Sequence, residues 1–248
     1  KNITKNTQII VDTMLRHNVP RLIYSSTCAV YGAPEKLPIT EETPTKPVSP
    51  YGKYKLEAEK YIAEKVSHTF QADVLRYFNV IGANSQGMLG ENPNPSLKQY
   101  ARIWTACLEV IRNRSACVHV KGFKFPTSDG TSVRDYVHVD DIVAAHLAVI
   151  HIYPRSNLEI WNVATNTPTS TLEFIKVARS VTGHPIPTCM QDVADASSPP
   201  SLYASANRLW QRGKWKARYL DLHSALITAW KWDTACCNKS KTGSLFVN

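Results

Sequence analysis

The sequence predicts an α/β fold, a parallel sheet flanked by helices with a smaller second lobe, and three observations carry that reading. Short apolar runs alternate with segments whose apolar residues recur at helical spacing. The rhythm breaks in two places only, residues 82–129 and from residue 182 onward, and these supply the second lobe. Hydroxyl residues directly follow the first apolar run, at the carboxyl end of a strand where open parallel sheets bind ligands.

In chain order, Ile9, Ile10, Val11, Met14 and Leu15 fall on one helical face, so the chain opens on a helix over residues 7–15. Arg21 to Tyr24 is a short apolar run, read as a buried strand. A loop with Pro34, Pro38, Pro44, Pro47 and Pro50 follows, and residues 52–66, dense in Lys, Glu, Ala and Leu, form the next helix. Strands are then expected at 73–80, 133–139 and 158–163, all in one parallel sheet, and helices at 101–111, 140–151 and 172–181. Segments 1–81 and 132–166 make the sheet domain, 82–131 and 167–235 the second lobe, and 236–248 a flexible tail.

Composition narrows the functional classes. With 248 residues, 43% of them hydrophobic, 20% charged and ten glycines, the chain is globular and not disordered, collagenous or disulfide-stapled. No stretch approaches the ~20 apolar residues of a membrane-spanning helix, and residues 1–6 hold no apolar signal core. The six cysteines form no C-x-x-C pair, and the adjacent Cys236 and Cys237 suit neither a disulfide nor a metal, so a reducing compartment is expected. Lys and Arg outnumber Asp and Glu by 29 to 20, a net charge of +9, which implies an anionic partner: nucleic acid, membrane or a phosphorylated small molecule.

The chemistry centres on Tyr51 and Lys55, one helical turn apart at the start of a helix. A phenol has a reference pKa near ~10 and is a poor base at neutral pH; a neighbouring ammonium favours the phenolate. Such a Y-x-x-x-K pair occurs by chance about once in a chain of this kind. A second copy, Tyr61 and Lys65, lies ten residues further along the same helix and reads as a packed tyrosine with a solvated lysine. Tyr51 differs because Ser25, Ser26 and Thr27 sit at the end of the preceding strand.

Five ordered stretches extend this pattern: N-I-T-K-N-T from Asn2, S-S-T-C-A-V-Y-G from Ser25, P-Y-G-K-Y-K from Pro50, L-R-Y-F-N-V-I-G from Leu75 and D-G-T-S-V-R-D-Y-V-H-V-D-D from Asp129. In them the chain resembles the extended short-chain dehydrogenase/reductases, and within that family the UDP-sugar 4-epimerases of the UDP-glucose and UDP-arabinose kind. I-T-E-E-T-P from Ile39 and G-M-L-G-E from Gly87 are similar to the plant UDP-arabinose branch. The resemblance implies a Rossmann-type sheet, NAD as cofactor, a UDP-sugar as substrate and a homodimer. It implies that Tyr51 removes the sugar 4-hydroxyl proton, with Thr27 as relay, and that Lys55 holds the nicotinamide ribose and lowers the pKa of Tyr51. Asn2, Ser25, Ser26, Tyr77 and Phe78 would line the cofactor; Thr27, Asn79 and Arg134 would bind the substrate. The dehydratases of this family place an Asp-Glu pair directly after the threonine; here Cys28-Ala29 stands there, so epimerisation is expected over elimination. The compartment follows the branch, cytoplasmic for the galactose type and Golgi, through an N-terminal anchor, for the arabinose type.

Two departures qualify the resemblance. No three glycines are spaced G-x-x-G-x-x-G, so relative to the family the sheet is expected to be N-terminally truncated by roughly three strands. Where the family carries an Arg-Arg-x-Gly-Asp-like stretch, this chain has Asp195-Ala-Ser-Ser-Pro-Pro200. An inactive fragment or pseudoenzyme is therefore the alternative to an active epimerase. No metal is expected: His138, His146, Asp140 and Asp141 read as packed or surface groups on a strand and its following helix. Arg208, Arg212, Lys214, Lys216 and Arg218, interleaved with Trp210 and Trp215, read as a solvated helix with its tryptophans in the core, and no nucleic-acid partner is expected.

Overall fold

A computed structural model describes residues 2–92, 102–152, 156–192 and 199–241. Its first helix, α1 (Asn2–Arg16), leads into strand β1 (Arg21–Thr27); after the proline-rich loop come α2 (Pro50–Lys65), β2 (Gln71–Tyr77) and β3 (Asn79–Ile81). α3 (Ile103–Ile111) and β4 (Val118–Lys121) precede β5 (Val133–His138), α4 (Val139–His151) and β6 (Leu158–Val163). The chain closes with β7 (Pro168–Ser170), α5 (Thr171–Thr182), β8 (Thr188–Gln191), β9 (Ser201–Leu202), α6 (Asn207–Gly213) and α7 (Leu222–Lys241).

β1, β2 and β6 form a parallel Rossmann-type sheet in that order. Alternation along β1 divides its two faces. Leu22 and Tyr24 pack with Val11, Ile62 and Phe70 beneath α1 and α2. Ile23 joins Leu75, Trp161 and Val163 on the opposite face, closed by Ile142, Ala145 and Val149 of α4 and Leu209 of α6. With helices on both faces the strands have no polar side, which is why β2 reads as a nearly continuous buried run.

Four expectations change. The strand expected over 73–80 breaks at Phe78, and β3 leaves the main sheet to pair with β5. β5 consequently belongs to a second sheet, parallel to β3 and β9 and antiparallel to β7, instead of extending the first. The chain is helical through Lys241, so the first part of the expected tail is the end of α7, whose Ala225, Leu226 and Ala229 pack with α3 and α5 in a second core. Finally, Cys117 and Cys189 form a disulfide across a sequence separation of 72. It joins the parallel pair β4 and β8 in the second lobe, which contradicts the expectation of reduced thiols.

His138 fastens β5 to α7. Its ring is fully buried, stacks on Tyr219 at 3.7 Å, accepts the Asp140 N–H at Nδ1 (3.0 Å) and so donates from Nε2 to Thr228 Oγ1 at 2.8 Å. Gly82, at φ +87, leaves room for this ring, because a Cβ there would lie 2.3 Å from it. Burial lowers the His138 pKa below 6.5, more than the charges of Asp140 and Asp141 raise it. Below about pH 6.5 the unfolded chain binds a proton that the folded chain resists, so stability falls as pH drops through that window. His138→Asn should flatten this acid limb in urea titrations between pH 7 and 5; an unchanged limb refutes the assignment.

Candidate active site

Thr27 ends β1 and opens a single 3-10 turn, its Oγ1 accepting the Ala29 N–H at 3.2 Å. Ser49 caps α2 by accepting the Gly52 N–H at 3.1 Å, with Pro50 at the first helical position. These two caps bring Tyr51, in the first turn of α2, close to Thr27, whose hydroxyl acts on the phenol. Gly52 makes the approach possible: a Cβ at this position would lie 2.5 Å from the Ala29 carbonyl oxygen. Gly52→Ala should push α2 off the turn, costing about 1–3 kcal/mol in urea unfolding, the usual range for overpacking. Unchanged stability would mean that the contact is slack.

One turn on, Lys55 Nζ donates to the Ser25 carbonyl at 2.8 Å and lies 4.8 Å from the centre of the Tyr24 ring. Burial lowers its pKa, with the Glu59 carboxylate opposing. The Tyr51 phenol is raised above its ordinary value, chiefly by burial, against the lowering action of the Thr27 hydroxyl. The Lys55 ammonium is engaged by the backbone and ring of β1.

Ser25 and Ser26 separate by strand alternation. The Ser25 hydroxyl is exposed and 2.8 Å from Tyr77 Oη, which in turn is 2.7 Å from His146 Nε2 on α4. Ser26 faces α2 and is buried, donating to Glu59, so its hydroxyl is not presented at the site surface as expected. Phe78 is buried in the main core. Asn2 is exposed at the start of α1. Asn79 pairs in register with Tyr136 and its side chain acts to lower the Tyr136 phenol. Arg134 donates to the Val133 carbonyl at 2.7 Å and acts electrostatically on Cys28, the neighbour of Thr27. Burial lowers its pKa. Tyr51, Thr27, Lys55, Ser25 and Tyr77 thus gather at the carboxyl ends of β1 and β2, and Arg134 approaches the same turn from β5.

Residues 1–164 match the family model described as NAD dependent epimerase/dehydratase family. The chain belongs to this family. It is 41% identical over 237 residues to Probable UDP-arabinose 4-epimerase 3 of Arabidopsis thaliana, covering 93% of itself and 56% of that protein. Against a UDP-glucose 4-epimerase of Lactobacillus helveticus it is 36% identical over 225 residues, 90% of the chain and 67% of the relative. Among solved structures, UDP-glucose 4-epimerase from Bifidobacterium longum in complex with NAD+ and UDP superposes with a TM-score of 0.86 at 34% identity, covering 96% of this chain and 70% of that one. The Stenotrophomonas maltophila enzyme with bound NAD and formylated UDP-arabinopyranose gives 0.83 at 30% identity, 91% and 66%. The chain spans just over half the length of its plant relatives.

Several supporting residues had no distinct sequence signal. Glu59 was the exception, lying one turn beyond Lys55; it accepts from Ser26 and pairs with Arg76 at 2.6 Å. His138 and His146 do not converge: one is fastened to Thr228, the other to Tyr77. The arginines of the basic cluster pair with acidic residues of this chain, Arg208 with Glu41 and Glu42, Arg212 with Glu159, and Arg218 with Asp141. Of its tryptophans, Trp215 is in the core and Trp210 is exposed, so half of that expectation changes. The counterpart of the family's Arg-Arg-x-Gly-Asp stretch, 195–200, falls largely outside the described residues. No described helix is long and apolar enough to cross a membrane.

Proposed function

We propose that this chain carries the catalytic centre of an NAD-dependent UDP-sugar 4-epimerase working through a 4-keto sugar. The observation that carries the proposal is the close approach of the first turn of α2, which holds Tyr51, to the Thr27 turn at the end of β1, with the Lys55 ammonium held one turn away on the Ser25 carbonyl. The polar ledge of Ser25, Lys55 and Tyr77 fits the ribose and nicotinamide end of NAD, since it offers hydroxyls and a cation at the sheet's carboxyl edge. Bound there, NAD would supply the hydride acceptor and donor for sugar C4. Tyr51 accepts the 4-hydroxyl proton through Thr27 and gives it back to the same oxygen once the opposite face of C4 is presented. Lys55 leaves the Ser25 carbonyl to hold the ribose and favour the Tyr51 phenolate. Arg134 grips the diphosphate, a contact suited to its planar fork, and Asn79 supports it.

Two sugar pairs fit this chemistry, UDP-arabinose with UDP-xylose and UDP-galactose with UDP-glucose. The Cys117–Cys189 cross-link favours the arabinose pair, because a disulfide persists in an oxidising compartment such as the Golgi, where that branch is expected, and not in the cytoplasm. The higher identity to the plant relatives points the same way. A homodimer belongs to this proposal, with Ile9 and Ile10, each 54% exposed on α1, as apolar surface for it.

Native mass spectrometry of the chain with and without NAD, followed by interconversion assays on both UDP-sugar pairs, tests the reading. Retained NAD with turnover of UDP-arabinose supports it. A folded chain that holds no NAD and turns over neither pair favours the inactive alternative.

A further inference from the structure

Away from the catalytic centre, the two strands joined by the disulfide bring a third soft ligand beside it. Cys117 immediately precedes β4, and His119 lies two residues on within that strand. Cys189 of β8 is the register partner of His119. One ligand atom from each of these residues lies within 4.8 Å of the others, Cys117 buried, His119 and Cys189 exposed. Among the described residues searched, this is the one group of three with such a geometry. The Gln191 side-chain amide donates from Nε2 to His119 Nδ1 at 3.0 Å, which holds the ring beside the two sulfurs. Cysteine spacing alone hides the site, because its ligands come from strands 72 residues apart.

We propose that this cluster is a redox-gated zinc site: a disulfide in the oxidised chain, and a Cys117, His119, Cys189 site for one divalent zinc ion once the bond is reduced. Two thiolates and an imidazole with a water in the fourth position are a ligand set suited to tetrahedral zinc. A dithiol or a phosphine supplies the two electrons. With a phosphine, the S–S bond breaks, the phosphorus takes oxygen from one water to become phosphine oxide, and the two protons of that water go to the sulfurs. Zinc then displaces those two protons and forms two Zn–S bonds and one Zn–N bond. Competing thiols are poor ligands: burial pushes the Cys28 and Cys107 thiols up to about 12, so both stay protonated.

The test uses the full chain, oxidised or reduced with a phosphine, titrated with Co2+ as the spectroscopic probe and with Zn2+ in competition, while circular dichroism reports that it is folded. One Co2+ per reduced chain is expected, with a thiolate-to-cobalt charge-transfer band, and none per oxidised chain. His119→Ala should weaken binding at least tenfold, Cys189→Ser should abolish the band, and Cys236→Ser with Cys237→Ser should leave it intact. A folded, reduced chain without the band overturns the proposal, as does a band that persists in the oxidised chain or is indifferent to His119→Ala.

Discussion

Tyr51→Phe is expected to lower epimerisation by about 10²–10⁴-fold, the usual contribution of a positioned proton acceptor, while leaving the fold intact. The substitution removes one oxygen. What it removes chemically is the phenol oxygen that stands near Thr27 at the end of β1. Because Tyr51 is 49% exposed, its ring adds little to the core, so the urea midpoint should move by less than about 0.5 kcal/mol equivalent. Turnover of UDP-arabinose and UDP-galactose, read by chromatography of the nucleotide sugars, decides the matter; wild-type rates in the variant reject Tyr51 as the proton acceptor. A second readout needs no turnover. Since burial raises the Tyr51 phenol, alkaline difference spectra of the variant should lack one phenol that ionises above the ordinary value.

Glu59→Ala should be the most destabilising single change in the sheet domain, about 3–5 kcal/mol, the range for removing one partner of a buried ion pair. Glu59 is 5% exposed on α2 and Arg76 3% exposed on β2. The carboxylate accepts two hydrogen bonds from the guanidinium, at 3.2 and 2.6 Å, and another from Ser26 of β1. Its loss leaves a buried cation and a buried hydroxyl without their acceptor. Urea unfolding measures the cost, and Glu59→Leu combined with Arg76→Met should recover most of it, since an apolar pair of similar volume tolerates burial. A loss below about 1 kcal/mol for Glu59→Ala would show that Arg76 finds water or another acceptor. The same residue links packing to function: Glu59 stands two turns from Tyr51 and one from Lys55, so it sets the height of α2 over β1.

Local pattern made much of this legible. Helical spacing fixed α1, α2, α4 and α5, and apolar runs fixed β1, β2, β5 and β6, because each signal lies within a few consecutive residues. Tyr51 and Lys55 were readable for the same reason, one turn apart beside a strand ending in hydroxyls. Short strands such as β4, β7, β8 and β9 were not, since two to four residues carry too little periodicity to separate them from loop. Which face a hydroxyl takes was also beyond local reading: Ser25 and Ser26 are adjacent and alike, and only the packing of α2 over β1 buries one and exposes the other.

By itself, then, the sequence determined the order of the long strands and helices and the family, and it singled out Tyr51 and Thr27 as the candidates for proton transfer. Tertiary structure alone decided that β5 leaves the main sheet for β3, that Lys55 turns to the Ser25 carbonyl, and that Cys117 meets Cys189. The reason is range: turn and strand periods are written in neighbouring residues, whereas pairings between distant segments depend on which surfaces the collapsed chain brings face to face.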